Sequence, residues 1–316
     1  MIDWTVQIGS LRLANPILVA SGTFGYGVEF RQAVPVERLG AIITKTLTRE
    51  PRAGNAPPRL IETSSGMLNS VGLHNMGLSA FLKEKLPLVR QLGVPIIVSI
   101  WAETVEEADA MVRPLDAADG VAAIELNLSC PNLTHASNGG ALVAQDADAT
   151  AAFVAAARRA TRKPVIAKLT PDVTDIRPIA RAAESAGADA IALVNTFAGM
   201  SIDPATRRSR LGASTGGLSG PAIRPLAVYR VWQVHHVVRC PIIGLGGIVS
   251  AEDALEFFIA GASAVAIGTA NFANPRATMR VLRGLERYLT RHKLASLRDL
   301  VGTFQPSAPT PAAAAP

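Results

Sequence analysis

Eight short apolar runs, spaced along the chain with amphipathic stretches between them, constrain the fold more than any other feature. The runs are Ile17–Ala20, Ala41–Thr44, Pro95–Ile100, Ala122–Asn127, Val165–Leu169, Ala190–Val194, Ile242–Leu245 and Ala264–Ile267. Each is too short for a core helix and long enough for a buried strand. Between them, Ala147–Ala160, Asp175–Ala186, Pro221–His236 and Ala251–Ile259 carry the 3.6-residue period of helices with one apolar face. Strands that alternate with helices join through right-handed parallel crossovers, and eight such units can close into a (β/α)8, or TIM, barrel. Hydrophobic residues make up 49% of the 316 but aromatics only 5%, so the core must be Ala, Val, Ile and Leu, as layered parallel strands require. Ser185-Ala186-Gly187-Ala188-Asp189 and Ile259-Ala260-Gly261-Ala262-Ser263 place a glycine where a helix ends before the next strand. Trp4–Ile8 and Leu11–Leu13 flank Gly9-Ser10 and predict a hairpin under the barrel. A single domain is expected over residues 1–305, with the Ala/Pro-rich end, 306–316, a disordered tail.

The formal charge of +6 does not indicate nucleic-acid binding, because the basic residues are scattered in pairs such as Arg158-Arg159 and Arg207-Arg208. A mild positive field suits a small anionic ligand equally well. Two cysteines, Cys130 and Cys240, are too few for a disulfide scaffold, a zinc site or an iron–sulfur cluster. No apolar run has the roughly 20 residues of a membrane span, and no basic-then-apolar leader opens the sequence. A cytoplasmic protein without membrane association is expected. No pair of histidines has metal-ligand spacing, so no metal site is predicted.

Three long segments, 46–78, 128–146 and 195–220, follow the second, fourth and sixth strands and read as loops. They lie on the face where barrel enzymes keep their active sites. Lys45 and Lys168 each end a strand there and project into the barrel mouth, where burial and anionic ligands decide a lysine's charge; one alone would read as a lysine reaching solvent, but two at one level shift the balance towards a function. Asn127 and Asn195 also end strands, and Asn69 and Asn132 add loop amides. Amides both donate and accept, which suits a planar heterocycle, although an Asn after a strand is often only a turn former. Gly244-Leu245-Gly246-Gly247 after the seventh strand and Gly268-Thr269 after the eighth together suit a phosphate cradle. Cys240, in Arg239-Cys240-Pro241, fits an inert cysteine on the stability face. Cys130 stands in a polar loop on the catalytic face beside Asn127 and Asn132, where a thiol can act as a base.

Taken in order, these segments resemble dihydroorotate dehydrogenases from Leu11 to about Arg287. The resemblance is carried by Asn15-Pro16 with Ala20-Ser21-Gly22, Thr44-Lys45-Thr46, Asn69-Ser70-Val71-Gly72-Leu73, Asn127-Leu128-Ser129-Cys130-Pro131-Asn132 and Lys168-Leu169-Thr170-Pro171. Asn195-Thr196, Gly217-Leu218-Ser219-Gly220-Pro221, Gly246-Gly247 and Gly268-Thr269 continue it. It implies an FMN-dependent oxidation of (S)-dihydroorotate to orotate in pyrimidine (UMP) biosynthesis. Cys130 would take the C5 proton while hydride leaves C6 for the flavin. Lys45, Asn69, Ser70, Val71, Gly72, Leu73, Asn127, Asn132, Asn195 and Thr196 would bind the substrate. Ser21, Lys45, Thr46, Ser99, Asn127, Lys168, Val194 and Gly220 would line the flavin, and Gly246, Gly247, Gly268 and Thr269 would hold its phosphate.

Within the family, a cysteine base argues for the soluble class over the quinone-using one, which has serine. The segment Asn195–Asp203 and Gly217–Gly220 resemble the NAD-linked type. That type implies a homodimer joined to a partner subunit carrying FAD and [2Fe–2S], a heterotetramer. A fumarate-using homodimer, a uracil-type dihydropyrimidine dehydrogenase and a non-catalytic scaffold barrel are the rival readings. Two departures stand out. The family usually has Asn-x-Ala-Gly after the third strand, where this chain has Ser99-Ile100-Trp101-Ala102. The segment Leu133–Gly140 after Cys130 is also longer than the NAD-linked pattern.

Overall fold

The computed structural model describes residues 2–129 and 142–306. The expectations for Cys130, Asn132, the Leu133–Gly140 segment and all but the first residue of the 306–316 tail fall outside these residues. Strand β1 (Val6–Ile8) pairs antiparallel with β2 (Leu11–Leu13), as the hairpin pattern predicts. Strands β3 (Ile17–Val19) and β4 (Ala41–Ile43) begin the barrel, and the long segment after them holds β5 (Leu60–Thr63) and β6 (Gly66–Asn69). Helices α1 (Leu78–Ala80) and α2 (Leu86–Val89) flank a π-helical stretch, Phe81–Lys85. Next come β7 (Ile96–Ile100), α3 (Val105–Ala117), β8 (Ala123–Asn127), α4 (Ala147–Ala160), β9 (Val165–Lys168), α5 (Arg177–Ser185) and β10 (Ala190–Leu193). The segment after β10 contains β11 (Phe197–Gly199), β12 (Ile202–Asp203), β13 (Arg208–Ser209) and β14 (Gly216–Ser219). Helix α6 (Arg224–His235), β15 (Ile242–Gly244), α7 (Ala251–Ala260), β16 (Ala264–Ile267), α8 (Ala270–Ala273) and α9 (Ala277–Arg291) follow.

Strands β3, β4, β7, β8, β9, β10, β15 and β16 close into one parallel barrel in that order. All eight strands read from the sequence are present, with the helices between them. Side-chain alternation sorts the apolar residues into two layers. Leu18, Ala20, Ala41, Ile43, Ile97, Ala123, Ile166, Ala190, Ala192, Ile243, Leu245, Ala264 and Ala266 point inward and touch one another. Their neighbours, such as Ile17, Val19, Ile42, Ile96, Val98, Val165 and Ile191, point outward under the helices. The many inward alanines fit the narrow interior of an eight-stranded barrel, where larger side chains from every strand would collide. Val6, Ile8 and Leu13 of the hairpin join the inward cluster and close the bottom of the barrel.

Helix starts follow their caps: Thr104 accepts from the Glu107 N–H at α3, Asp146 from the Ala149 N–H at α4, and Ser250 with Asp253 forms a capping box at α7. No helix among the described residues is long and apolar enough to cross a membrane.

The sequence reading of 46–78 and 195–220 as plain loops is corrected by the structure. Strands β11, β14, β6 and β5 form an antiparallel sheet over the C-terminal mouth of the barrel, with Gly217 opposite Asn69 and Phe197 opposite Leu218. These strands cover a cleft and not a core. They therefore lack the apolar alternation that marks a half-buried strand, and β14 opens on two glycines.

The inward layer yields a stability prediction. Ile97→Ala should cost about 2–5 kcal/mol, because its neighbours across the barrel cannot collapse into the void. The urea midpoint should fall with the denaturant slope unchanged; an unaltered midpoint would contradict the inward packing.

Candidate functional site

Where the inward faces of the strands run past their apolar layers, polar side chains emerge at the mouth. Thr46, just beyond β4, is the hub. Its Oγ1 lies 2.9 Å from Ser21 Oγ and 3.0 Å from Ser99 Oγ, and it accepts from Asn127 Nδ2 at 3.1 Å. Asn127 and Lys168 are paired across β8 and β9. The Asn127 carbonyl oxygen is approached by the Ser129 N–H, the Ser129 hydroxyl and Asn195 Nδ2 at 3.3–3.4 Å. Asn195 also donates to the Ser129 carbonyl at 2.9 Å, and its own oxygen accepts from the Thr196 N–H. Ser21, Thr46, Ser99, Asn127, Ser129 and Asn195, drawn from five different strand ends, are thus one connected network. Ser99 is fully buried behind Thr46, so it acts on the cleft through that hydroxyl.

One cleft at this mouth is lined by Ser21, Lys168, Val194, Asn195, Thr196, Gly220, Gly246, Gly247, Gly268 and Thr269, all singled out in the sequence. Thr23, Ser219, Ile248 and Val249 also line it, and were missed. Ser219 could have been found: its place in Gly217–Gly220 aims its hydroxyl at Thr269, which donates to it at 2.8 Å. Gly246 and Gly247 have φ of 134° and 75°, where side chains strain the backbone. A Cβ on Gly247 would stand 2.7 Å from the Gly220 carbonyl oxygen, so only glycine permits this approach. The result is a backbone-lined end suited to phosphate, with buried hydroxyls and an amide at the other end. The donor set fits a phosphorylated planar cofactor. Lys168, only 4% exposed, reaches the cleft from below, and Lys45 places its ammonium 3.7 Å from where a Cβ on Gly22 would stand. Broader surface hollows, such as the one between α7 and α9 lined by Arg280, Arg283 and Arg287, hold none of these lysines, glycines or cleft hydroxyls.

The Asn69–Leu73 segment joins the site through the mouth sheet. Asn69 Nδ2 donates to the Gly217 carbonyl at 3.1 Å, and Gly217 lies against Thr196, leaving no room for a side chain. Asn55 holds the segment by donating from its amide to Ser70 Oγ at 2.7 Å and from its backbone to the Val71 carbonyl at 3.1 Å. Gly72 and Leu73 both have left-handed φ, 70° and 53°. For leucine this costs about 1–2 kcal/mol. The N–H groups of Gly72 and Leu73 have no backbone or side-chain partner among the described residues, although both residues are buried. Successive amides of this kind make an anion-binding concavity.

Two further observations bound the site. Glu125 lies two residues before Asn127, so its side chain shares the inward face; it is fully buried and neither carboxylate oxygen has a hydrogen-bond partner among the described residues. Its position inside an apolar run, in Glu125-Leu126-Asn127, was the available signal. Cys240 lies on the opposite, bottom face, its thiol pushed up to about 12 by burial and then by the neighbouring Glu184 carboxylate. The inert reading of that cysteine holds.

The sequence model of the dihydroorotate dehydrogenase family matches residues 4–289. The chain belongs to the dihydroorotate dehydrogenase family. It is 49% identical over 301 residues to a protein of Trichlorobacter lovleyi named dihydroorotate dehydrogenase B (NAD(+)), catalytic subunit, covering 95% of this chain and 98% of that one. Proteins with the same name from Geotalea daltonii and Geobacter sulfurreducens are each 48% identical over 303 residues, covering 96% of this chain and 98% of theirs. Matches of this extent span the barrel, the mouth sheet and the cleft together.

Glu125 gives a prediction that needs no ligand. A buried polar side chain without partners costs more than an apolar one of similar volume, so Glu125→Leu should stabilise the cofactor-free protein by about 1–3 kcal/mol. A loss of stability on urea unfolding would show instead that the carboxylate is paired through a buried water.

Proposed function

We propose that this chain is the catalytic subunit of an NAD-linked dihydroorotate dehydrogenase, oxidising (S)-dihydroorotate to orotate with FMN in the mouth cleft. The observation that supports the reading most is that eight of the twelve expected flavin residues line one cleft, with Thr46, Ser99 and Asn127 hydrogen-bonded to its wall through Ser21, in a chain nearly half identical to proteins of that name. FMN bound there would supply a hydride acceptor for C6 of the substrate.

The protein's own groups have the following parts. Gly246, Gly247, Gly268 and Thr269 hold the phosphate. Ser21, Thr46, Asn127, Val194 and Gly220 line the ring, with Ser99 orienting Thr46. Lys168 stands as a buried cation near the pyrimidine edge, where negative charge gathers on reduction. The free amides of Gly72 and Leu73 receive the substrate carboxylate with Lys45, and Asn69, Asn127, Asn132, Asn195 and Thr196 bind the ring amides. Ser70 and Val71 shape that segment through Asn55. Cys130 takes the C5 proton as hydride leaves C6, so the substrate loses both at neighbouring carbons and gains the ring double bond.

Electrons leave through a partner subunit carrying FAD and a [2Fe–2S] cluster, in a cytoplasmic heterotetramer built on a homodimer of this chain. A cluster of that kind needs four thiolates, and this chain has two cysteines in all. The barrel with its mouth sheet serves as one FMN-binding domain over residues 1–305, followed by the Ala/Pro-rich tail.

Cys130→Ala should retain FMN and lose at least about a hundredfold in dihydroorotate oxidation at neutral pH, the scale of a general base. Cys130→Ser should recover activity only as pH rises, because serine is a far weaker acid than a thiol of ordinary pKa ~8.5. Near wild-type turnover by the alanine variant would remove the base assignment. The purified chain alone, loaded with FMN, should be reduced by dihydroorotate yet fail to reduce NAD+. Direct NAD+ reduction would exclude the partner route.

A further inference from the structure

Leu73 holds a backbone conformation that its own side chain disfavours, in the segment where the proposed substrate carboxylate is received. Such an outlier persists only where its surroundings over-determine it. Asn75 Nδ2 donates to the Leu73 carbonyl at 2.7 Å and fixes the far side of the residue. On the near side, Leu73 and Trp101 form a small apolar cluster of their own, separate from both layers of the barrel core, and each is 5% exposed. Trp101 is itself firmly based. Its backbone N–H donates to the Leu47 carbonyl at 2.9 Å, at the top of the barrel wall. The Arg52 guanidinium lies 5.5 Å from the centre of its ring, and Arg52 exchanges backbone hydrogen bonds with Asn75 at 3.0 and 3.1 Å. The indole is therefore clamped between the leucine it supports and a cation fixed to the same turn.

We propose that Trp101 is a positioning residue for substrate binding: with Arg52 as its cap, it holds Leu73 left-handed and so keeps the Gly72 and Leu73 amides turned to the substrate. This rests on the dihydroorotate reading for the identity of the ligand, but not for the clamp. Trp101 replaces the small residue of the family pattern at this place, and its ring packs against Leu73 and Arg52. Its effect should fall on substrate affinity and leave the cofactor alone. Removing the indole frees Leu73 to relax to negative φ, which rotates the peptide planes on both sides of it and disperses the paired amides.

The test uses the FMN-loaded protein and its Trp101→Ala, Trp101→Phe and Arg52→Gln variants, with steady-state kinetics on dihydroorotate and amide hydrogen exchange over residues 69–75 without substrate. For Trp101→Ala the expected result is faster exchange in that segment and a KM raised about tenfold or more. FMN content should be unchanged and kcat should stay within about twofold. Trp101→Phe should restore most of the affinity, and Arg52→Gln should raise KM about two- to fivefold, the weight of a partly exposed cation–π contact. An unchanged KM with unchanged exchange overturns the proposal, as does a loss of FMN together with kcat, which would make Trp101 part of the flavin site. If Trp101→Ala does not fold, Trp101→Phe and Arg52→Gln decide by the same two readouts. If the wild-type protein does not oxidise dihydroorotate, the functional reading fails by itself. Exchange in the 69–75 segment then decides the clamp alone: faster in the variants supports it, unaltered overturns it.

Discussion

Closure of eight parallel strands fixes where every inward side chain can go. The lower positions hold alanine and medium aliphatics because the axis is narrow, and the hairpin residues Val6, Ile8 and Leu13 seal the bottom. Polar residues on the same faces can reach space only at the C-terminal mouth. Thr46, Ser99, Asn127 and Lys168 are there for that reason, and hydrogen bonds through Thr46 Oγ1 bind several strand ends into one floor. The site's rigidity follows from the barrel, since moving one of these groups means moving a strand that is bonded on both sides.

A mouth sheet then turns an open barrel end into a cleft. Pairing of β6 with β14 brings Asn69 to Gly217 and Thr196, residues far apart in the chain. Glycines at 217 and 247 matter because backbone and side chains of other elements occupy the places their Cβ atoms would fill. The phosphate end is therefore made of backbone, while the ring end is made of hydroxyls and amides. That division matches a cofactor with an anionic tail and a hydrogen-bonding heterocycle.

Much of this was legible in the sequence, for physical reasons. Barrel strands are buried on both faces, so Ile96–Ile100 and Val165–Lys168 appear as unbroken apolar runs, and a lysine or asparagine ending such a run stands out. The mouth sheet was not legible: Leu60–Thr63 and Gly216–Ser219 pair over a cleft, without a core to impose alternation. Glu125 was marked only by standing as a charge inside an apolar run, and whether such a carboxylate finds partners depends on side chains from other strands. Trp101 was noticed only as a departure from the family pattern. The structure packs it on Leu73, a contact set by the left-handed turn at Gly72 and Leu73.

The central claim is that this cleft carries out the oxidation of dihydroorotate. The most direct measurement is anaerobic mixing of the FMN-loaded protein with one equivalent of dihydroorotate or of dihydrouracil, following the visible flavin absorbance. Dihydroorotate should bleach the flavin and yield orotate, while dihydrouracil, which has no carboxylate for the Gly72 and Leu73 amides, should leave it oxidised. Bleaching by dihydrouracil alone, or by neither compound, would contradict the account.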